Sequence, residues 1–259
     1  MSAAAKLSRF VRTARALGPD PGAQLRILWA LSKNLRVDAL GAKHDPSRVY
    51  ALRTRLGKVH LRDNFGDVTN LPGLLVENTY RVSKLARPGE ILDVGANIGL
   101  FAKWIAHHNP ERRLHCFEPL PSNASMVRLN CPAAVVNQVG VGSARGKVQV
   151  GVDEHGVMAS SVAQSWALKP IEFEVIPLDE YAAQQKIAEV AFFKLDTEGM
   201  ELDVLAGAQQ LLTRTHLVAM ETHGEERHRA SIERLREAGF TIDAEERMGA
   251  VGMVWASRR

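Results

Sequence analysis

Aromatic residues make up only 6% of this 259-residue chain, and cysteine occurs twice. Cys116 and Cys131 have neither metal-ligand spacing nor the density of a disulfide framework, so they read as small core residues in a reducing compartment. No uncharged apolar run approaches the roughly 20 residues needed to span a bilayer. The nearest candidate, Ile27 to Leu31, is short and follows Arg26. Lys6, Arg9, Arg12 and Arg15 are scattered through the stretch where a signal peptide would carry its apolar segment, which argues against export and for a cytoplasmic protein. No internal repeat and no low-complexity tract occur. With 46% hydrophobic and 24% charged residues, the composition excludes disordered and collagen-like classes and fits one main soluble domain.

A strong excess of one charge sign is also lacking over most of the chain. Residues 1–36 hold seven Lys/Arg and one acid, Asp20, so the rest carries 26 basic and 28 acidic residues. A nucleic-acid substrate needs a broad cationic footprint, which the body does not offer. The basic residues belong instead to two predicted N-terminal helices, over residues 3–17 and from about Gln24 to Leu35. These pack on the main domain, lie on an acidic partner or membrane surface, or close over a substrate. Tyr50 to Arg55 and Lys58 to Asp63 flank Leu56-Gly57 and predict a hairpin. Residues 1–74 are thus expected to form a helical and hairpin extension, a lid or flap.

From Glu90 onward, short apolar segments alternate with helical ones, the pattern of an α/β doubly wound sheet. Strands are expected near 90–94, 113–118, 135–140, 190–196, 216–222, 240–245 and 250–256, with helices at about 98–108, 121–130, 200–213 and 226–238. Residues 141–178 break the alternation. Lys147 to Val152 and Glu172 to Ile176 read as extra strands around a polar loop, Ala159 to Gln164, so this is an insertion within a domain spanning 75–259.

The sharpest local signal is Ile91-Leu-Asp-Val-Gly-Ala-Asn-Ile-Gly99, a buried strand running into a glycine turn and a helix. Gly95 permits a tight turn and close backbone approach, and Gly99 lets the helix start against its neighbour. The spacing is D-x-G-x-x-x-G, not the G-x-G-x-x-G of dinucleotide enzymes, and Asp93 would repel a pyrophosphate. An acid there suits a cationic cofactor end, which points to S-adenosylmethionine, whose amino group and sulfonium are both positive. Nineteen residues beyond Gly99, Glu118 closes the next strand before Pro119, where an acid grips the two hydroxyls of a nucleoside ribose. Gly140 and Val141, ending the third strand, are expected beside the adenine or in a plain turn.

Asp93-Val-Gly-Ala-Asn-Ile-Gly99, Phe117-Glu-Pro119, Phe193-Lys-Leu-Asp-Thr-Glu-Gly-Met-Glu201 and Glu221-Thr-His223 together resemble the FkbM family of S-adenosylmethionine-dependent methyltransferases over roughly residues 75–256. The resemblance implies a Rossmann-like class I methyltransferase fold, a seven-stranded mostly parallel sheet ending in an antiparallel hairpin, and typically O-methylation of a hydroxyl on a sugar or natural product. It also implies that Asp93, Gly95, Asn97 and Gly99 hold the methionine end and Glu118 the ribose. Thr197 and Met200 depart from the family's smaller or aliphatic residues.

In a doubly wound sheet the ligand lies beyond the carboxyl ends of the strands, at the switch between the first and fourth. Asp196 ends the fourth strand; Glu221 and His223 end the fifth and share one face. Methyl transfer to a hydroxyl needs a base or a Lewis acid. His223 is the expected general base, with Asp196 or Glu221 orienting it or binding substrate; a divalent ion held by all three is the less favoured alternative. Lys194 is expected to pair with Asp196, while Glu198 and Glu201 are weaker candidates in which helix capping competes with substrate contact. The expected partner is a small-molecule acceptor, not nucleic acid and not an inserted membrane, with a homodimer conceivable. N-methylation of a peptide or amine, or a non-catalytic nucleoside-binding module with a basic docking N-terminus, are the competing functions.

Overall fold

The computed structural model describes residues 2–33, 44–152, 159–160 and 169–258. The end of the second predicted helix and residues 161–164 of the polar loop lie outside them. Helices α1 (Ala3–Leu17) and α2 (Pro21–Leu31) open the chain, each started by a side-chain cap, Ser2 on the Ala5 N–H and Asp20 on the Ala23 N–H. Strands β1 (Val49–Thr54) and β2 (Gly57–Arg62) pair as the expected hairpin. Helix α3 (Phe65–Leu75) was not anticipated. Its Gly66, Pro72 and Gly73 argue for a loop, but Asn64 caps its first turn and Val68, Leu71 and Leu75 bury one face, so packing overrides propensity.

The main sheet contains β3 (Glu90–Val94), β4 (Leu114–Phe117), β5 (Val135–Asn137), β10 (Val190–Leu195), β11 (Leu217–His223), β12 (Thr241–Met248) and β13 (Val251–Ser257). Their spatial order is β12-β13-β11-β10-β3-β4-β5, and only β13 runs against the rest, pairing antiparallel with β11 and with β12, its partner in the closing hairpin. β3 lies between β4 and β10, so the chain reverses its direction of travel through the sheet at that point, and a crevice opens beyond the strand ends. Helices α4 (Leu100–His108), α5 (Pro121–Asn130), α6 (Leu178–Gln185), α7 (Glu201–Ala206), α8 (Gln209–Leu212) and α9 (Glu225–Glu237) accompany it. The helix expected over 200–213 is two short ones, broken at Gly207 and Ala208; Gly207 is also a close contact, since a Cβ there would stand 2.0 Å from the Gly142 carbonyl oxygen. The predicted third strand also divides. β5 stays in the main sheet, while β6 (Gly140–Val141) joins β7 (Gly146–Val152), β8 (Ala159–Ser160) and β9 (Lys169–Ile176) in a second sheet, which is the insertion.

Two apolar layers cover the main sheet. A third cluster joins Ile27, Leu31, Leu61 and Leu71 of the N-terminal elements to Ile98, Leu100 and Met126 around α4 and α5. Burial of this kind contributes about 1.5–3 kcal/mol per large side chain, so the described N-terminal elements are fastened to the sheet domain through a shared core. Among the described residues no helix is long and apolar enough to cross a membrane.

Candidate functional site

The turn after β3 is built for close approach. Gly95, Asn97 and Gly99 have φ of 77°, 49° and 79°. A Cβ on Gly95 would lie 1.7 Å from the Asp196 carbonyl oxygen, so only glycine fits there. At Gly99 a Cβ would sit 3.0 Å from Val127 Cα, which makes this residue the point where α4 meets α5. The Asn97 N–H donates to Glu118 Oε2 at 2.8 Å, while Glu118 Oε1 accepts from the Leu120 N–H at 3.0 Å and from Asn123 Nδ2 at 3.4 Å. Burial pushes the Glu118 carboxyl up to about 7, although those N–H donors pull the other way.

A cleft opens over this corner, lined by Gly95, Asn97, Glu118, Gly140, Val141 and Phe173 among others. Gly140 lies flat against the insertion: a Cβ there would meet the Phe173 ring at 2.6 Å. A buried carboxylate, largely apolar walls and a glycine that brings backbone to the surface suit an adenosine with a charged tail. Asp93 and Gly99 are not among the residues lining this cleft. Asp93 is fully buried and its Oδ1 lies 3.1 Å from Lys194 Nζ, so a lysine faces its charge inside the protein. Gly99 packs helices, as described.

A second, larger cavity adjoins the first and shares Gly95, Asn97, Asp196 and Glu198 with it. Its far wall comes from the N-terminal elements, including Arg9, Phe65, Asn70 and Thr79, and its floor carries Tyr80, Lys194 and Glu221. The structure therefore brings Asp196, Glu221 and His223 together as the strand pattern predicts, with one ligand-type atom from each within 4.8 Å of the others. Tyr80 Oη donates to Asp196 Oδ2 at 3.0 Å, and Lys194 Nζ lies 3.7 Å from the same oxygen. Lys194 thus stands between Asp93 and Asp196; burial alone would lower its pKa, but the two carboxylates raise it and keep it charged.

His223 is more crowded than the sequence suggests. Its Nδ1 lies 2.9 Å from Glu201 Oε1, and its Nε2 lies 3.3 Å from Glu198 Oε2 and 3.4 Å from Glu221 Oε1. Burial favours the neutral ring, yet the bonds to Glu201 and Glu221 outweigh it and raise the imidazole to about 10. The ring as it stands is a cation at neutral pH and not a ready proton acceptor. Glu198 is pushed up to about 7, by burial first and by Asp196 next, and Glu221 is raised chiefly by Asp196. Glu198 also holds φ of 53°, an unfavourable backbone conformation for a side chain of its kind, at the turn into α7. Arg9, Tyr80 and α3 were not foreseen. Nothing local marks them, because they reach the cavity only through the tertiary fold.

A doubly wound sheet closed by an antiparallel hairpin, with a cleft holding a buried carboxylate and a carboxylate-walled cavity at its switch point, is the architecture of a class I methyltransferase. The chain belongs to the family described as "Methyltransferase FkbM domain", whose model matches residues 93–242, and is an S-adenosylmethionine-dependent methyltransferase. It is 27% identical to the 2-O-methyltransferase NoeI of Sinorhizobium fredii over 56% of this chain and 68% of that protein. It is 29% identical to the 31-O-demethyl-FK506 methyltransferase FkbM of Streptomyces tacrolimicus over 62% and 76%. Among solved structures, the fibrillarin of Aeropyrum pernix, with natively bound S-adenosyl-L-methionine, is similar with a TM-score of 0.48 at 12% identity, covering 82% of this chain and 84% of that one.

Proposed function

We propose that this protein O-methylates a hydroxyl of a small, oxygen-rich acceptor such as a sugar or natural product. The observation that carries the reading is the pair of cavities meeting at one wall, with Asp196 and Glu198 exposed to both. In this reading the smaller cleft takes the cofactor: Glu118 grips the ribose, Gly95 and Asn97 flank the methionine end, and Gly140 and Val141 sit beside the base. When bound, S-adenosylmethionine supplies a methyl group on positive sulfur, open to in-line displacement.

The larger cavity takes the acceptor. Its polar lining of Asn70, Thr69, Thr79, Tyr80 and carboxylates, set among Phe65, Leu74 and Phe101, suits a polyhydroxylated molecule with apolar faces. Glu198, on the shared wall, accepts the hydroxyl proton at its carboxylate, and Tyr80 fixes Asp196 to orient the acceptor. This moves the base from His223, where the sequence places it, to a carboxylate beside it. Both relatives named above are O-methyltransferases, which favours oxygen over nitrogen as the atom methylated. The test is to incubate the purified protein with methyl-labelled cofactor and a panel of glycosides, polyketides, amines and short peptides. Label appearing as a methyl ether on a hydroxylated acceptor supports the proposal; label going only to amines or peptides overturns it.

A further inference from the structure

Glu221 and His223 stand two apart on β11, and the pairing of Leu195 with Met220 brings Asp196 beside them from the next strand. Two carboxylates and an imidazole thus converge on one point, their nearest ligand atoms within 4.8 Å of each other. Donors held at about 2.1 Å by a six-coordinate ion lie roughly 3–4 Å apart, so small side-chain adjustments close this set around a cation. A separate feature lies behind the imidazole. Glu201 is fully buried, accepts the Gly199 N–H at 2.8 Å and meets His223 Nδ1 at 2.9 Å, while its other oxygen, Oε2, is buried with no hydrogen-bond partner. A buried carboxylate on the far nitrogen is how metal-binding histidines are held: when a cation displaces the Nε2 proton, it keeps the remaining proton on Nδ1 and orients the Nε2 lone pair toward the ligand position. That position faces Glu198 and Glu221, whose oxygens lie 3.3 and 3.4 Å from Nε2. Lys194 Nζ is nearer to Asp93, at 3.1 Å, than to Asp196, at 3.7 Å.

We propose that Asp196, Glu221 and His223 bind a divalent first-row transition cation at the boundary of the two cavities, with Glu201 as the positioning residue behind His223. One imidazole with two carboxylates is a mixed set that favours Mn²⁺, Co²⁺ or Zn²⁺ over Mg²⁺, which demands an all-oxygen, well-hydrated shell. Asp196 and Glu221 line the larger cavity, so the coordination positions left open face the acceptor. Only that last statement rests on the acceptor reading; the site itself does not.

The experiment uses the full-length protein, stripped with chelator and titrated with Mn²⁺ while the signal of free aqueous Mn²⁺ is followed by electron paramagnetic resonance. One Mn²⁺ per chain is expected. Glu221→Gln and His223→Ala should weaken uptake by roughly tenfold or more, and Glu201→Gln by roughly tenfold through loss of ring orientation. Zn²⁺ should displace the bound Mn²⁺. S-adenosylhomocysteine binding is measured by calorimetry on the same samples, and its retention in the variants shows that they are folded. No saturable uptake by the wild-type protein, or uptake unchanged in all three variants, overturns the metal site. Because cofactor binding is read separately, loss of the metal proposal leaves the methyltransferase reading intact, and the reverse.

Discussion

Glu118 allows a quantitative test of the cofactor cleft. Its carboxyl titrates near 7 in the folded protein against an ordinary value of 4.5. Below pH 4.5 both folded and unfolded chains are protonated there and the group is neutral in its effect. Between 4.5 and 7 the unfolded chain releases its proton first, so stability falls as pH rises; above 7 the cost is complete. At about 1.36 kcal/mol per unit, this amounts to about 3 kcal/mol. Glu118→Gln removes the titration. It also turns an amide NH₂ toward the Leu120 or Asn97 N–H, a pH-independent loss of about 1–3 kcal/mol. The informative quantity is therefore the difference in unfolding free energy between variant and wild type, followed by urea denaturation at several pH values. It should move in favour of the variant by about 3 kcal/mol from pH 4.5 to 7.5. If ribose hydroxyls donate to the ionised form, wild-type affinity for S-adenosylhomocysteine should fall about tenfold for each pH unit below 7, while the variant binds weakly at every pH. A stability difference that stays flat across this range would refute the burial argument.

Three further outcomes are expected. Gly95→Ala places a methyl where 1.7 Å separates it from backbone, at a positive φ; strain and overpacking together should cost about 2–5 kcal/mol in denaturation and abolish cofactor binding. Glu198→Gln should lower kcat by about 10²-fold or more, with S-adenosylhomocysteine affinity changed far less, as measured by single-turnover kinetics and calorimetry. Arg9 makes a bidentate pair with Glu77 at 2.6 and 2.5 Å at the edge of the larger cavity. Arg9→Ala should raise the acceptor KM several-fold yet shift stability by less than about 1 kcal/mol, since both partners are substantially solvated.

The parts of the fold visible in the sequence were those fixed by short-range pattern. Ile91 to Val94, Phe193 to Leu195 and the Val251 to Ala256 run are apolar stretches between turn residues, and each is a strand of the main sheet. Glu118 announced itself by its distance from Gly99, and Asp196, Glu221 and His223 by their places at strand ends. Helix α3 was hidden because Pro72 and Gly73 weigh against it locally, whereas the burial of Leu71 and Leu75 that favours it depends on α1, α2 and α4. Nothing in one strand reveals that Lys194, paired with Asp93 in the register of β10 and β3, lies 3.1 Å from its carboxylate. The protonation of His223 was equally illegible. It is decided chiefly by Glu201 and Glu221, and next by Glu198; Glu198 and Glu201 come from a turn in which Glu198 and Gly199 take positive φ.

Since the two hollows are separated by little more than Gly95, Asn97, Asp196 and Glu198, whatever fills one of them redraws the surface met by the other. Thermodynamic reciprocity then applies: if the nucleoside tightens the grip on the acceptor by some factor, the acceptor must tighten the grip on the nucleoside by the same factor. The departure of spent cofactor and methylated product would be linked in the same way, through a strip four residues wide.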